Sequence, residues 1–188
     1  MGFYPVAAAS SGSSNGGLTL AGLGMLIATQ DIGVINTTST YTLTAGQFTA
    51  ALCTAPASGL ITHLGLYLSG GGTGTPSGDN GLAVYTAAGV LISKAAAMPL
   101  TAIGWNEAAP LASVPVAAGT DYYLAALSTL SGTAPVAVGD YNLLAADPPV
   151  PGKNIYPALT ESAVAAFPAS FSPSALTPSG ALLYSYGR

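Results

Sequence analysis

Charge is what this sequence has least of. Among its 188 residues only three are basic and seven acidic, with a single histidine, so charged residues make up 5% of the chain. An ordinary soluble domain carries about 25%. General acid–base catalysis needs several titratable groups in one place, and a dense mixed charge is what keeps protein surfaces apart in solution. The scarcity argues against an enzyme and predicts a chain that belongs to an assembly.

Basic patches and paired cysteines are also missing. The formal net charge of −4 comes without a basic cluster, which excludes the electrostatic footprint of nucleic-acid binding. Cys53 is alone, so no disulfide forms within the chain, and its position in an apolar alternating run predicts a buried thiol. A reactive thiol would need a base or a cation nearby, and the neighbouring sequence has neither.

Long hydrophobic runs are absent too, although half the residues are hydrophobic and the mean hydropathy is +0.54. The longest apolar candidate extends only from Leu18 to Thr29, which is short of the ~20 residues that cross a bilayer. No lysine or arginine marks a signal peptide, and Val6 stands where myristoylation requires Ser or Thr. We therefore expect no membrane insertion, secretion signal or lipid anchor.

Glycine (24) and proline (14) are abundant, which disfavours helices and suits short strands joined by turns. The chain divides into an N-terminal arm and lead-in segment (1–45), a core (46–130) and a proline-punctuated C-terminal segment (131–188). Ser and Gly dominate residues 10–17, so the preceding residues, with Phe3 and Tyr4, are predicted to be a docking arm. A disordered terminus is the alternative.

Apolar residues alternate with period two along most of the core segment, which is a strand signal. The predicted strands are Gln47–Thr54, Leu60–Leu68 as one strand, a hairpin of Leu82–Thr86 and Val90–Lys94 with Gly89 at positive φ, a pair formed by Trp105–Pro110 and Leu111–Val116, and Asp121–Ser128. Such spacing predicts an all-β, antiparallel β-sandwich of jelly-roll type with extended N- and C-terminal arms.

The succession ITHLGLYLSG, GLAVYTAAGVLIS, GWNEAAPLASVPVAAGTDYYLAALS and FPASFSP resembles the β-sandwich domains of virion surface proteins of tailed bacteriophages. These capsid-decoration and minor tail proteins are in turn similar to carbohydrate-binding modules. The resemblance covers residues 60–130, with Ala83-Val84-Tyr85, Gly104-Trp105 and residues 118–124 at its characteristic places. It implies a virion protein made in the host cytoplasm, on the capsid, the collar or the tail.

Prolines recur through residues 131–188 and argue against central strands there, because proline lacks the N–H that a ladder requires. This segment either wraps across a neighbouring subunit or packs back on its own domain, with a final strand near its end. The predicted assembly contacts are Phe3, Tyr4, Leu182, Tyr184 and Tyr186.

Catalytic and metal-binding motifs are not found. His63 lies in a predicted strand and is interpreted as structural or as a surface position. Asp79 and Asn80, helped by Asp121, could hold calcium in the glycine-rich loop, but Asp-Asn-Gly is first of all a turn. We predict no catalytic residue, metal or cofactor.

Tyrosine is the one functional residue type in surplus, with ten copies. Tyr67, Tyr85, Tyr122 and Tyr123 lie in predicted strands, and alternation should turn at least one of the last two outward. Trp105 is expected in the core.

Two hypotheses about function follow, because exposed tyrosines are common both in protein interfaces and in sites that stack on sugar rings. One is a structural virion protein that assembles with other virion proteins and with copies of itself, such as a trimer, through apolar surfaces. The other is a module that binds host-surface saccharide.

Overall fold

A computed structural model describes residues 24–29, 40–140, 159–161, 164–178, 182–183 and 185–188. Short strands dominate these residues. In chain order they are β1 (Ile27–Ala28), β2 (Thr40–Thr42), β3 (Phe48–Thr54), β4 (Gly59–Ile61), β5 (Leu64–Gly70), β6 (Gly81–Thr86), β7 (Leu91–Lys94), β8 (Gly104–Ala108), β9 (Val114–Val116), β10 (Asp121–Leu127), β11 (Val136–Asp140), β12 (Leu159–Glu161), β13 (Thr177–Pro178), β14 (Leu182–Leu183) and β15 (Ser185–Gly187). A 3-10 turn spans Pro173–Ala175.

The strands form two large sheets and a small one, and each described pair is antiparallel. The first sheet has the order β1-β15-β5-β11-β14, with β2 beside β11 and β8 beside β5. The second has the order β13-β12-β3-β10-β6-β7, and β4 pairs with β9. The predicted all-β class with antiparallel sheets is confirmed.

The two large sheets share one apolar core. Leu64, Leu66 and Leu68 of β5 are fully buried in it, together with Leu82 and Val84 of β6. These residues alternate along their strands, so each strand presents one apolar face to the opposite sheet. Two sheets that bury their inner faces against each other form the layered arrangement of a sandwich.

The second sheet also has a covered outer face. Residues 164–176, which we call the strap, place Phe167 and Phe171 against Phe48, Tyr85 and Tyr123. The strap is tied to the sheet by backbone bonds, among them Leu91 N–H to Ala169 O at 3.0 Å and Phe171 N–H to Gly89 O at 2.9 Å. The strands β3, β6 and β10 of this sheet are therefore buried on both faces.

This double burial overturns one expectation about the tyrosines. Tyr122 faces the core between the sheets and Tyr123 faces the strap, and they are only 7% and 4% exposed. The prediction that one of the pair points to solvent is wrong, because both faces of β10 are covered. The apolar run Leu124–Leu127 is the sequence signature of such a strand.

The predicted strand Leu60–Leu68 is divided in two. Its break lies at Thr62 and His63, whose amides both donate to the Arg188 carbonyl, at 2.7 and 2.9 Å. Across the break the alternation shifts, so that Ile61 and Leu64 are both buried while Leu60 is 54% exposed. A single period-two strand over Leu60–Leu68 would place Leu60 and Leu64 on one face, so that prediction is wrong.

Other local predictions have mixed outcomes. The hairpin of β6 and β7 is confirmed, with Gly89 at φ 78°. The predicted pairing of Trp105–Pro110 with Leu111–Val116 is wrong, because β8 pairs with β5 and β9 pairs with β4. The expectation that the C-terminal segment supplies no central strand is wrong: β11 lies between β5 and β14, β12 between β13 and β3, and β15 between β1 and β5. Pro135 stands before the first residue of β11 rather than within it.

The sheets draw strands from all three predicted segments. From the first, Ile27 is fully buried and pairs with Gly187, and β2 pairs with β11. From the third, β15 pairs with β5, and the strap covers the second sheet. The described residues of the C-terminal segment thus contribute strands and the strap to the sheets of the same chain.

Candidate functional site: an aromatic platform on the first sheet

Three neighbouring strands of the first sheet bring an unusual set of side chains to its outer surface. In the register, Trp105 of β8 is opposite Tyr67 of β5, and Glu107 is opposite Gly65. On the other side of β5, Tyr186 of β15 is opposite the same Gly65. Because side chains alternate across a sheet, these residues share the face opposite to Leu64, Leu66 and Leu68.

The aromatic rings on this face contact one another edge to face. Trp105 and Tyr67 have ring centroids 5.1 Å apart and an interplanar angle of 81°, and Trp105 and Tyr186 have centroids 5.0 Å apart at 71°. Such T-shaped pairs are favourable beyond the area they bury. Tyr186 is 5% exposed and Tyr67 is half-buried, so the rings fix the orientation of the tryptophan between them.

Trp105 itself is 47% exposed, so its predicted place in the core is wrong. The reason is its strand: β8 borders β5, and the inward position of β8 is held by Asn106, whose amide donates to the carbonyls of Ala102 and Gly104. Period-two alternation then sends Trp105 and Glu107 outward. We call the set Tyr67, Trp105, Glu107, Tyr186 and Arg188 the aromatic platform.

Gly65 makes the platform possible. A Cβ atom added at this position would overlap ring atoms of Tyr186. The glycine therefore leaves the space in which the Tyr186 ring lies across β5 and reaches both Trp105 and Glu107. Close approach of this kind is a recurrent reason for glycine within a strand.

A carboxylate–guanidinium pair borders the rings. Glu107 accepts hydrogen bonds from Arg188 Nε at 2.9 Å and Nη2 at 3.1 Å, and its Oε1 also accepts from the Tyr186 hydroxyl. Hydrogen bonding from Arg188 holds the pKa of Glu107 below its ordinary value. Burial, and next the bond to Glu107, raise the pKa of Tyr186. Glu107 is thus ionised and Tyr186 neutral at physiological pH.

Sequence reasoning missed Glu107 and Arg188. Arg188 reaches the platform because its backbone is fixed at the break between β4 and β5: its N–H donates to His63 O at 2.9 Å, while its carbonyl accepts from the two amides there. His63 is exposed, and its Nδ1 shares a hydrogen bond of 3.1 Å with the Thr62 hydroxyl. It also lies close enough to Glu107 to lower the pKa of the Glu107 carboxyl group. Two signals for the platform were visible in the sequence: the alternation of Trp105 and Glu107, and a glycine at position 65 within a strand pattern.

The candidate calcium ligands have protein partners. The Asp79 carboxylate accepts from Lys94 Nζ at 2.6 and 2.7 Å and from the Phe167 N–H at 2.9 Å. The Asn80 side chain bridges Met98 and Thr129, while Asp121 accepts from Thr54. Asp79 therefore serves to fasten the strap. Within the described ranges, no group of three or more His, Cys, Asp and Glu could hold a metal ion.

Cys53 is buried as predicted, at 6% exposure, and its thiol donates to the Tyr122 carbonyl at 3.3 Å. Burial, and then the nearby charge of Asp121, raise the pKa of the thiol to about 12. At physiological pH the side chain is a protonated thiol. Since the thiolate is the reactive form, Cys53 is a packing residue.

The five predicted assembly contacts fall in different places. Phe3, Tyr4 and Tyr184 lie outside the described residues. Leu182 belongs to β14, which pairs with β11. Tyr186 is buried in its own chain by the platform, so in this arrangement it is an internal contact rather than a surface anchor.

Comparisons with protein-family models, with characterised proteins and with solved structures find no match to this chain. None of the described residues form a helix of the length and hydrophobicity that would span a membrane.

Proposed function

We propose that this chain is a non-enzymatic binding module of a phage virion that uses the aromatic platform to bind host-surface saccharide. The observation that carries the proposal is the side chain of Trp105, which is 47% exposed yet held edge to face by two tyrosines. A rigid, half-exposed indole offers a flat apolar surface at little entropic cost. The virion setting comes from the sequence resemblance and from the low charge.

The polar rim of the platform supports a ligand with both apolar and hydrogen-bonding faces. A sugar ring presents C–H groups on one face and hydroxyl groups at its edge. Trp105 matches the first, while Glu107 and Arg188, with side chains 29% and 48% exposed, match the second. Binding sites commonly combine an apolar wall with a few placed polar groups in this way.

The absence of enzymatic activity is proposed from how the titratable groups are used. Asp79 is paired with Lys94, Glu107 with Arg188, and Cys53 is a buried thiol. Among the residues that the structure describes, neither ion pair lies beside a nucleophile whose pKa is lowered, which is the usual arrangement of a catalytic centre. These pairs instead hold structural elements in place.

Replacing the indole tests the proposal directly. Trp105→Ala should weaken binding to a recognised glycan by at least about tenfold, because aromatic anchors carry much of the energy of such contacts. Binding is screened on a glycan array and measured by isothermal titration calorimetry. The change should leave the fold intact, since a half-exposed side chain on an edge strand contributes little to the core.

Leu111→Ala is the matched control, because Leu111 is another large apolar residue, 65% exposed, whose backbone N–H bonds to Lys94 O at the edge of the second sheet. This variant should bind as the unaltered protein does. Equal losses in both variants, or none in Trp105→Ala, would contradict a saccharide site at the platform.

A structural role in the virion is the second candidate. It is favoured by large apolar side chains that are about half exposed or more, namely Leu60, Val90, Ile103, Trp105 and Leu111, on a chain with 5% charged residues. Exposed apolar surface with so little charge around it promotes association. In this role the chain assembles with copies of itself or with other virion proteins.

The purified chain should therefore be oligomeric at micromolar concentration, and sedimentation velocity measures this. The triple variant Leu60→Ser, Ile103→Ser and Leu111→Ser should shift the distribution toward monomer, whereas Trp105→Ala tests whether the platform participates. A stable, soluble monomer of the unaltered chain would contradict the assembly role and leave saccharide binding as the remaining candidate.

A further inference from the structure

The charge balance of the aromatic platform points to a ligand class. Glu107 and Arg188 stand side by side at its rim and form a two-bonded ion pair. An acidic sugar would have to approach the ionised carboxylate of Glu107, while the cation that could attract it is already neutralised. The pair therefore disfavours an anionic ligand and leaves hydrogen-bonding capacity for an uncharged one.

That remaining capacity can be counted. A guanidinium has about five N–H donors and a carboxylate about four acceptor positions. Within the described part of the chain, Glu107 takes Nε and Nη2 of Arg188 and one bond from the Tyr186 hydroxyl. Donors on Arg188 and an acceptor position on Glu107 stay available, close to the exposed indole. Hydroxyl groups, which donate and accept, can use both.

We infer that the ligand of the platform is a neutral saccharide, whose pyranose ring stacks on Trp105 while its hydroxyl groups bind Glu107 and Arg188. This inference rests on the proposed saccharide-binding function. It adds a ligand class and gives Glu107 and Arg188 the role of excluding acidic sugars, which neither residue has in a purely structural reading.

Pairs of related glycans, one acidic and one neutral, test the inference. One pair is hexagalacturonate and its fully methyl-esterified form, and another is a sialylated lactosamine and its desialylated form; each pair differs at the acidic group. The chain has one tryptophan and ten tyrosines, so fluorescence excited selectively at the indole reports on Trp105 in the platform. We expect a fluorescence change with neutral members, and weaker binding of the acidic member of any pair that binds.

Two variants separate charge selection from a structural effect. In Glu107→Gln the Arg188 guanidinium has no carboxylate partner. The affinity for the acidic glycan should therefore rise about fivefold relative to that for its neutral partner, which is the upper range for an exposed charge pair. In Arg188→Gln the carboxylate is uncompensated, so the preference for the neutral member should increase. A merely structural disturbance would weaken both members of a pair equally in both variants.

The outcomes are distinguishable. Binding confined to acidic glycans would overturn the neutral-ligand inference but not saccharide binding. The same would follow if Glu107→Gln and Arg188→Gln had equal ratios of acidic-glycan affinity to neutral-glycan affinity. No binding to any glycan, neutral or acidic, would overturn the proposed function together with the inference. Circular dichroism and thermal unfolding of each variant establish that the sheets are intact.

Discussion

Phe48→Ala is expected to destabilise the protein by about 3–5 kcal/mol, the range for removing a buried aromatic side chain from a packed core. Phe48 is fully buried and contacts the rings of Tyr85, Phe167 and Phe171, with centroids 5.8, 6.4 and 5.3 Å away. The alanine leaves a cavity between the second sheet and the strap. Since a typical domain is stable by only about 5–15 kcal/mol, this single change would remove a large part of the total.

Guanidinium unfolding followed by circular dichroism measures the loss. Ile103→Ala is the control, because Ile103 is 72% exposed and its truncation should change the free energy of unfolding by less than about 0.5 kcal/mol. A loss below about 1 kcal/mol for Phe48→Ala would mean that the strap does not pack on this face in solution.

Gly89→Ala is expected to release part of the strap. Gly89 has φ 78°, and an added Cβ would overlap the carbonyl oxygen of Phe171, a backbone atom that cannot rotate away. The substitution combines left-handed strain of about 1–2 kcal/mol with loss of the bond from Phe171 N–H to Gly89 O. Displacing the Phe171 ring would add about 1.5–3 kcal/mol.

Gly119→Ala separates these contributions. Gly119 has φ 74°, almost the same conformation, but nothing lies within 4 Å of an added Cβ there. This variant should show the conformational strain alone. The difference between the two unfolding free energies measures the docking of the strap. Hydrogen exchange at the Leu91 and Phe171 amides should quicken in Gly89→Ala and stay protected in Gly119→Ala. Equal effects of both variants would contradict a docked strap.

The local patterns of the sequence predicted those parts of the fold that depend on neighbours in the chain. Gly89, between two apolar runs, predicted the β6–β7 hairpin, and the alternation of apolar residues predicted β3 and β10. The break at Thr62 and His63 was not predictable in this way. It depends on bonds to Arg188, more than a hundred residues later, and alternation alone cannot show where a strand changes partners.

The candidate site was less predictable than the fold. A lone Trp105 in an alternating run is equally compatible with a core position and a surface position, and only the pairing of β8 with β5 decides between them. Arg188 and Tyr186 could not be connected to Glu107, because no local spacing relates them. Gly65 was a usable clue, since a glycine inside a strand often marks a close approach.

Because its parts come from residues 65–67, 105–107 and 186–188, no short stretch of the chain contains the aromatic platform. A synthetic peptide covering any one of these segments would carry only one of the three platform rings. Antibodies raised against the platform of the folded protein should therefore recognise a conformational epitope and lose their target on denaturation. Such antibodies would report directly on whether β15 is docked on β5.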